Sequence, residues 1–176
     1  VAVTVAALMG VLANPGVDGM ISLREAVIAT NATAGADTIS LAAGTYTLSR
    51  TGTGENAAST GDLDITGELT INGAAANSTF IDGGALDRVF EVHGVTVKMA
   101  GLTIQNGSVA ADGAGIAIAS GSNVTIRDSA LSGNVATGNG GAIFLSGTLV
   151  LDRVTIDGNQ ASDGGGIYLN NNPSTT

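Results

Sequence analysis

The chain has 176 residues with a formal net charge of −9, only 12% charged and 3% aromatic residues, and 27 glycines. An acidic chain with no basic stripe excludes nucleic acid and argues against an anionic membrane surface. The absence of cysteine excludes disulfides, thiolate zinc sites and cysteine nucleophiles.

Val1 to Ala13 is apolar but too short to span a bilayer, and no Lys or Arg precedes it as a secretory signal would need. Val1–Ala7 reads as a strand. Ser22-Leu23-Arg24-Glu25 then forms a capping box, with Ser22 at the N-cap and Glu25 three residues on. Leu23, Ala26, Val27 and Thr30 follow at helical spacing, and Asn31, Ala32 and Gly35 end the helix. A short amphipathic helix laid over the first layer of a repeat would cover its strand edges.

From residue 39 the apolar residues come in pairs separated by one outward residue, so each pair points to one side of a strand. Ile39 and Leu41, Tyr46 and Leu48, and Leu63 and Ile65 make a first coil. Leu69 and Ile71, Ile81, and Phe90 and Val92 make a second. The same positions recur as Val97, Met99, Ile104, Ile116 and Ile118, then as Val124, Ile126, Leu131, Ile143 and Leu145. They recur once more as Leu149, Leu151, Ile156, Ile167 and Leu169. Periods of roughly 20–50 residues signal stacked repeats. A chain that always winds the same way pairs its strands in parallel, and such crossovers are right-handed. The expected fold is all-β: a right-handed, three-faced parallel β-helix of about five coils, on the order of 25 Å tall, with an N-terminal capping helix. Residues 1–38 would be strand and cap, and residues 39–176 the β-helix, continuous with it as one domain.

The turns carry their own register. Asn134 and Asn159 each follow a glycine and are expected to stack as a ladder. Arg127 aligns with Asp152, and Asp128 with Arg153, as surface pairs between coils.

The segment SLREAVIATNATAGADTISLAAGTYTL, with TGDLDI, LTING, IDGGALDRVF, GLTI and the repeated GGxI, resembles the CSLREA-type cap and repeats of bacterial surface and secreted β-helix proteins. Ile21 stands where that family has its leading Cys, so the cap disulfide of some relatives cannot form here. The resemblance implies an extracellular or cell-surface setting and a modular scaffold, with no catalytic motif to carry over. More distantly the chain is similar to pectate-lyase-like β-helices and polymorphic outer-membrane proteins. Such a fold does not fix a function.

The leading expectation is a non-enzymatic structural, adhesive or self-assembling module. In its filament form, Val1, Val3 and Val5 would pair head to tail with Ile167 and Leu169 of another copy, at a C-terminal edge that no second helix covers. The alternative is a polysaccharide lyase or hydrolase using Asp64, Asp82, Asp87 and Arg88, with Asp64 and Asp82 expected to face outward. A second alternative is a carbohydrate-binding module using Tyr168 and Phe144. His93 is the only histidine, and no motif marks a partner for it. The spacings of calcium-binding nonapeptide rolls and EF-hands are missing, so no metal site or cofactor is expected beyond weak calcium binding. Partners would be the chain itself or a surface polysaccharide, with no nucleic acid and no membrane insertion.

Overall fold

The computed structural model describes residues 21–170 and the backbone of the strand Ala2–Val3. Three faces wind around one apolar interior. The first face stacks β2 (Asp37–Ser40), β5 (Leu69–Asn72), β8 (Thr96–Ala100) and the leading halves of β12 (Asn123–Ser132) and β15 (Thr148–Asp157). The second stacks β3 (Gly44–Thr47), β6 (Thr79–Asp82), β9 (Thr103–Gln105) and the trailing halves of β12 and β15. The third is a five-stranded sheet of β4 (Leu63–Ile65), β7 (Phe90–Val92), β11 (Ile116–Ile118), β14 (Ile143–Leu145) and β16 (Ile167–Leu169). A small parallel pair, β10 (Ser108–Val109) and β13 (Val135–Ala136), stacks in the turns between the second and third faces. β1 (Ala2–Val3) adds antiparallel to β2, with Val3 opposite Ile39. Among the described residues every other pairing is parallel, as a continuous winding requires. Each face stacks five strands, and the winding makes about 4 turns from the first layer to the last, close to the five coils expected.

The inward residues form columns because each coil repeats the register of the one before. Ile39, Ile71, Met99 and Ile126 lie in line and are all buried. Leu151 continues this column but is 36% exposed, since no described residue covers the last coil. Leu169, in the third-face column, is 58% exposed for the same reason.

Between the first two faces the chain bends through a left-handed residue in each of three successive coils: Gly101 (φ 67°), Asp128 (φ 47°) and Arg153 (φ 55°). The bend puts the Asp128 and Arg153 side chains side by side, with Arg153 Nε 2.6 Å from Asp128 Oδ1. Arg127 Nε lies 3.8 Å from Asp152 Oδ2. These exposed pairs match the alignment read from the sequence and contribute little stability each.

The asparagine ladder runs inside the turn. Asn134 is fully buried; its Oδ1 accepts from Gly107 N–H at 2.9 Å, and its Nδ2 donates to Asn159 Oδ1 at 2.9 Å and to the Ile104 carbonyl at 3.2 Å. Gly107 is required there, because a Cβ would stand 2.0 Å from the Ala114 carbonyl oxygen.

Helix α1 (Leu23–Asn31) closes the N-terminal end, burying Leu23, Ala26, Val27 and Thr30. The capping box is complete: Glu25 N–H donates to Ser22 Oγ at 3.2 Å, and Ser22 N–H donates to Glu25 Oε2 at 2.8 Å. Arg24 turns inward as well. Its guanidinium donates to the carbonyls of Ala58, Thr60, Gly61 and Asp62, fastening the long loop between β3 and β4 against the helix.

Candidate functional site

One cluster of charged side chains gathers on the outer side of the third face. Alternation places one outward residue in each strand there, and parallel register aligns them as Asp64, Glu91, Ala117, Phe144 and Tyr168. The file thus passes from carboxylates, through a small residue, to two rings.

Asp64 leaves its strand outward, as expected, yet it is 0% exposed. The expectation of an outward, available carboxylate is therefore corrected. The loop held by Arg24 folds over it, and Ala58 N–H donates to Asp64 Oδ2 at 2.9 Å. The other oxygen, Oδ1, lies 3.0 Å from His93 Nε2. His93, which no motif provided with a partner, therefore has one. It sits two residues beyond Glu91 and on the same side of the chain, one register step from Asp64.

Arg88 bridges two further carboxylates, with Nε 3.1 Å from Asp62 Oδ2 and Nη1 3.2 Å from Glu91 Oε2. Asp62 is buried, and that burial, together with the nearby charge of Asp64, pushes its carboxyl up to about 7, against the pull of Arg88. Burial also raises Asp87, opposed by the N–H and the charge of Arg88.

Asp82 stands apart, on the second face. Its Oδ1 accepts from Gly84 N–H, and its Oδ2 accepts from Gln105 and Asn106, each at 2.8 Å. Burial works against ionisation there, but these hydrogen bonds outweigh it and hold the carboxyl below its usual range. The set Asp64, Asp82, Asp87 and Arg88 is therefore divided: Asp64, Asp87 and Arg88 share one neighbourhood, and Asp82 bonds to the next coil on another file.

Beside this cluster the small Ala117 leaves an open hollow of about 420 Å³, lined by Arg88, Glu91, Asp112, Phe144, Ser146 and Asn170 among others. Phe144 lines one end of it and stacks on Tyr168, with ring centroids 5.7 Å apart and planes 5° from parallel. Ile167 is half-buried in the core beneath, and Leu169 is exposed at the edge of the last described coil. Of the N-terminal residues expected to self-associate, Val3 pairs within its own chain, while Val1 and Val5 lie outside the described residues.

Glu91 and the Asp64–His93 contact escaped the sequence reading. The signal was present: LDI and FEV occupy equivalent positions in successive coils, which sets Asp64 beside Glu91.

Among known proteins, a family model described as the right-handed beta helix region matches residues 69–176. No curated protein and no solved structure matches the chain. With parallel coils on three faces and a family model covering more than half its length, the chain belongs to the right-handed β-helix family.

Proposed function

We propose that the protein is a non-enzymatic module of the cell exterior that serves as a rigid structural or adhesive element. The observation that carries this reading is how the candidate catalytic groups are used. Asp64 is sealed beneath a loop, Asp82 ties two coils together, and Arg88 is held between Asp62 and Glu91. A polysaccharide hydrolase needs two carboxyls facing the same bond across an open cleft. These acids instead hold strands and loops in place. The likeness of residues 22–48 to the caps of surface and secreted β-helix proteins supports the extracellular setting.

Incubation with polyuronic acids and neutral polysaccharides, with and without calcium, tests this. No rise in unsaturated products or reducing ends is expected. Turnover that disappears in Arg88→Ala would overturn the reading.

A second reading, saccharide binding without turnover, is favoured by the hollow over Ala117. A ring wall beside Arg88, Glu91 and Asp112 offers an apolar face and polar edges together, which is the chemistry that sugars require. Self-assembly is the remaining form of the proposal. The edge of β15 and β16 can accept another parallel layer, whether from the same chain or from a second copy.

A further inference from the structure

We propose that Asp64, Glu91 and His93 form a seat for a divalent first-row transition ion on the outer side of the third face. This goes beyond the scaffold reading and requires neither a saccharide nor a second copy.

One oxygen from each carboxylate and one imidazole nitrogen lie within 4.8 Å of one another. The closest pair, Asp64 Oδ1 and His93 Nε2, is 3.0 Å apart. Two ligand atoms each about 2.1 Å from an ion, at a right angle, stand about 3.0 Å from each other. That bite suits a six-coordinate ion. Glu91 is the long, partly exposed member. Turning its carboxylate away from Arg88 completes the set, while Arg88 keeps its bond to Asp62.

The supporting groups are already fixed. Ala58 N–H holds the second oxygen of Asp64, and His93 N–H donates to the Ile65 carbonyl at 3.0 Å, which sets the main chain under the imidazole. Such outer contacts orient metal ligands. Of the three, Glu91 alone borders the hollow, so water or a ligand oxygen reaches the ion from that side. Asp64 and Glu91 bring two carboxylates to the same place as the imidazole, and a divalent cation offsets their charge. The imidazole distinguishes this place from an acidic surface patch. Calcium prefers six to eight oxygen ligands, whereas imidazole favours zinc, cobalt and nickel.

The test uses the full chain without a histidine tag, stripped with chelator and titrated calorimetrically with Zn²⁺, Co²⁺ and Ca²⁺. Saturable binding of one Zn²⁺ or Co²⁺ per chain is expected, at least about tenfold tighter than Ca²⁺. His93→Gln and Glu91→Gln, both at partly exposed positions, should each weaken it by about tenfold or more with circular dichroism unchanged. Because the chain has a single histidine, the His93 ring protons report directly. Substoichiometric Co²⁺ should shift or broaden them in the wild type and much less in Glu91→Gln. Absence of saturable binding below millimolar concentration would mean that Asp64 and His93 form only an ion pair, and the proposal fails. It fails equally if calcium binds as tightly, or if both variants bind as the wild type does.

Discussion

Asp62 shows how one buried carboxyl couples the outer cluster to stability. Its folded pKa of about 7 lies well above the unfolded value of 3.8, so between these limits the folded chain holds a proton that the unfolded chain has released. Stability from this group is fully present below pH 3.8 and is lost as pH rises through 7. Urea denaturation in the presence of chelator should show Asp62→Asn gaining on the wild type across this window, by on the order of 2–4 kcal/mol at its upper end. Asp82 acts with the opposite sign, its stabilisation lost as pH falls, so the difference between wild type and variant isolates Asp62. An unchanged difference from pH 4 to 8 would show that Asp62 ionises normally. The sequence gives no hint of this perturbation. Alternation specifies which side of a strand a residue takes, but not whether a loop lies over that side, and the loop is what buries Asp64.

At the scale of elements, the capping helix acts through a residue that its helical pattern does not single out. Ser22 and Glu25 were legible as a cap from type and spacing alone. Arg24 lies outside the apolar spacing of the helix, yet it is 8% exposed and serves carbonyls from Ala58 to Asp62. Burial lowers the pKa of its guanidinium, and Arg50 adds to that effect. Removing it leaves several buried carbonyls without donors. Arg24→Ala should therefore cost about 3 kcal/mol in denaturant unfolding and expose the 49–61 loop to limited proteolysis. Arg24→Lys should restore little, since an ammonium cannot span the same carbonyls as a planar fork. A loop equally resistant to protease in Arg24→Ala would mean that the helix does not anchor it. The turn asparagines, by contrast, were readable because Asn134 and Asn159 repeat in register, and a repeated polar residue inside a turn has its own copies to bond with.

For the whole molecule, the periodic apolar pairs defined the columns, and the columns carry the fold. Their occupants differ in worth according to depth in the stack. Ile126 is fully buried between neighbours on both sides, so Ile126→Ala should cost about 2–5 kcal/mol. Leu151, in the same column one coil later, should cost less, about 1–2 kcal/mol on truncation to Ala, because solvent already reaches part of it. Chemical denaturation of the two variants checks this ratio. Equal losses would show that something covers the last coil in solution.

The matched register of β12 and β15 also bears on how such a molecule can change in size. Asn123 to Gly147 and the segment that begins at Thr148 are interchangeable steps of one staircase. Copying the first of them in tandem would lengthen the rod by about 4.8 Å with every ladder bond and every column regenerated. An insertion of a single residue within β12 would instead turn the rest of that strand inside out or force a bulge in it. Growth in this architecture therefore proceeds by whole storeys, and reach can be selected without redesigning an interior.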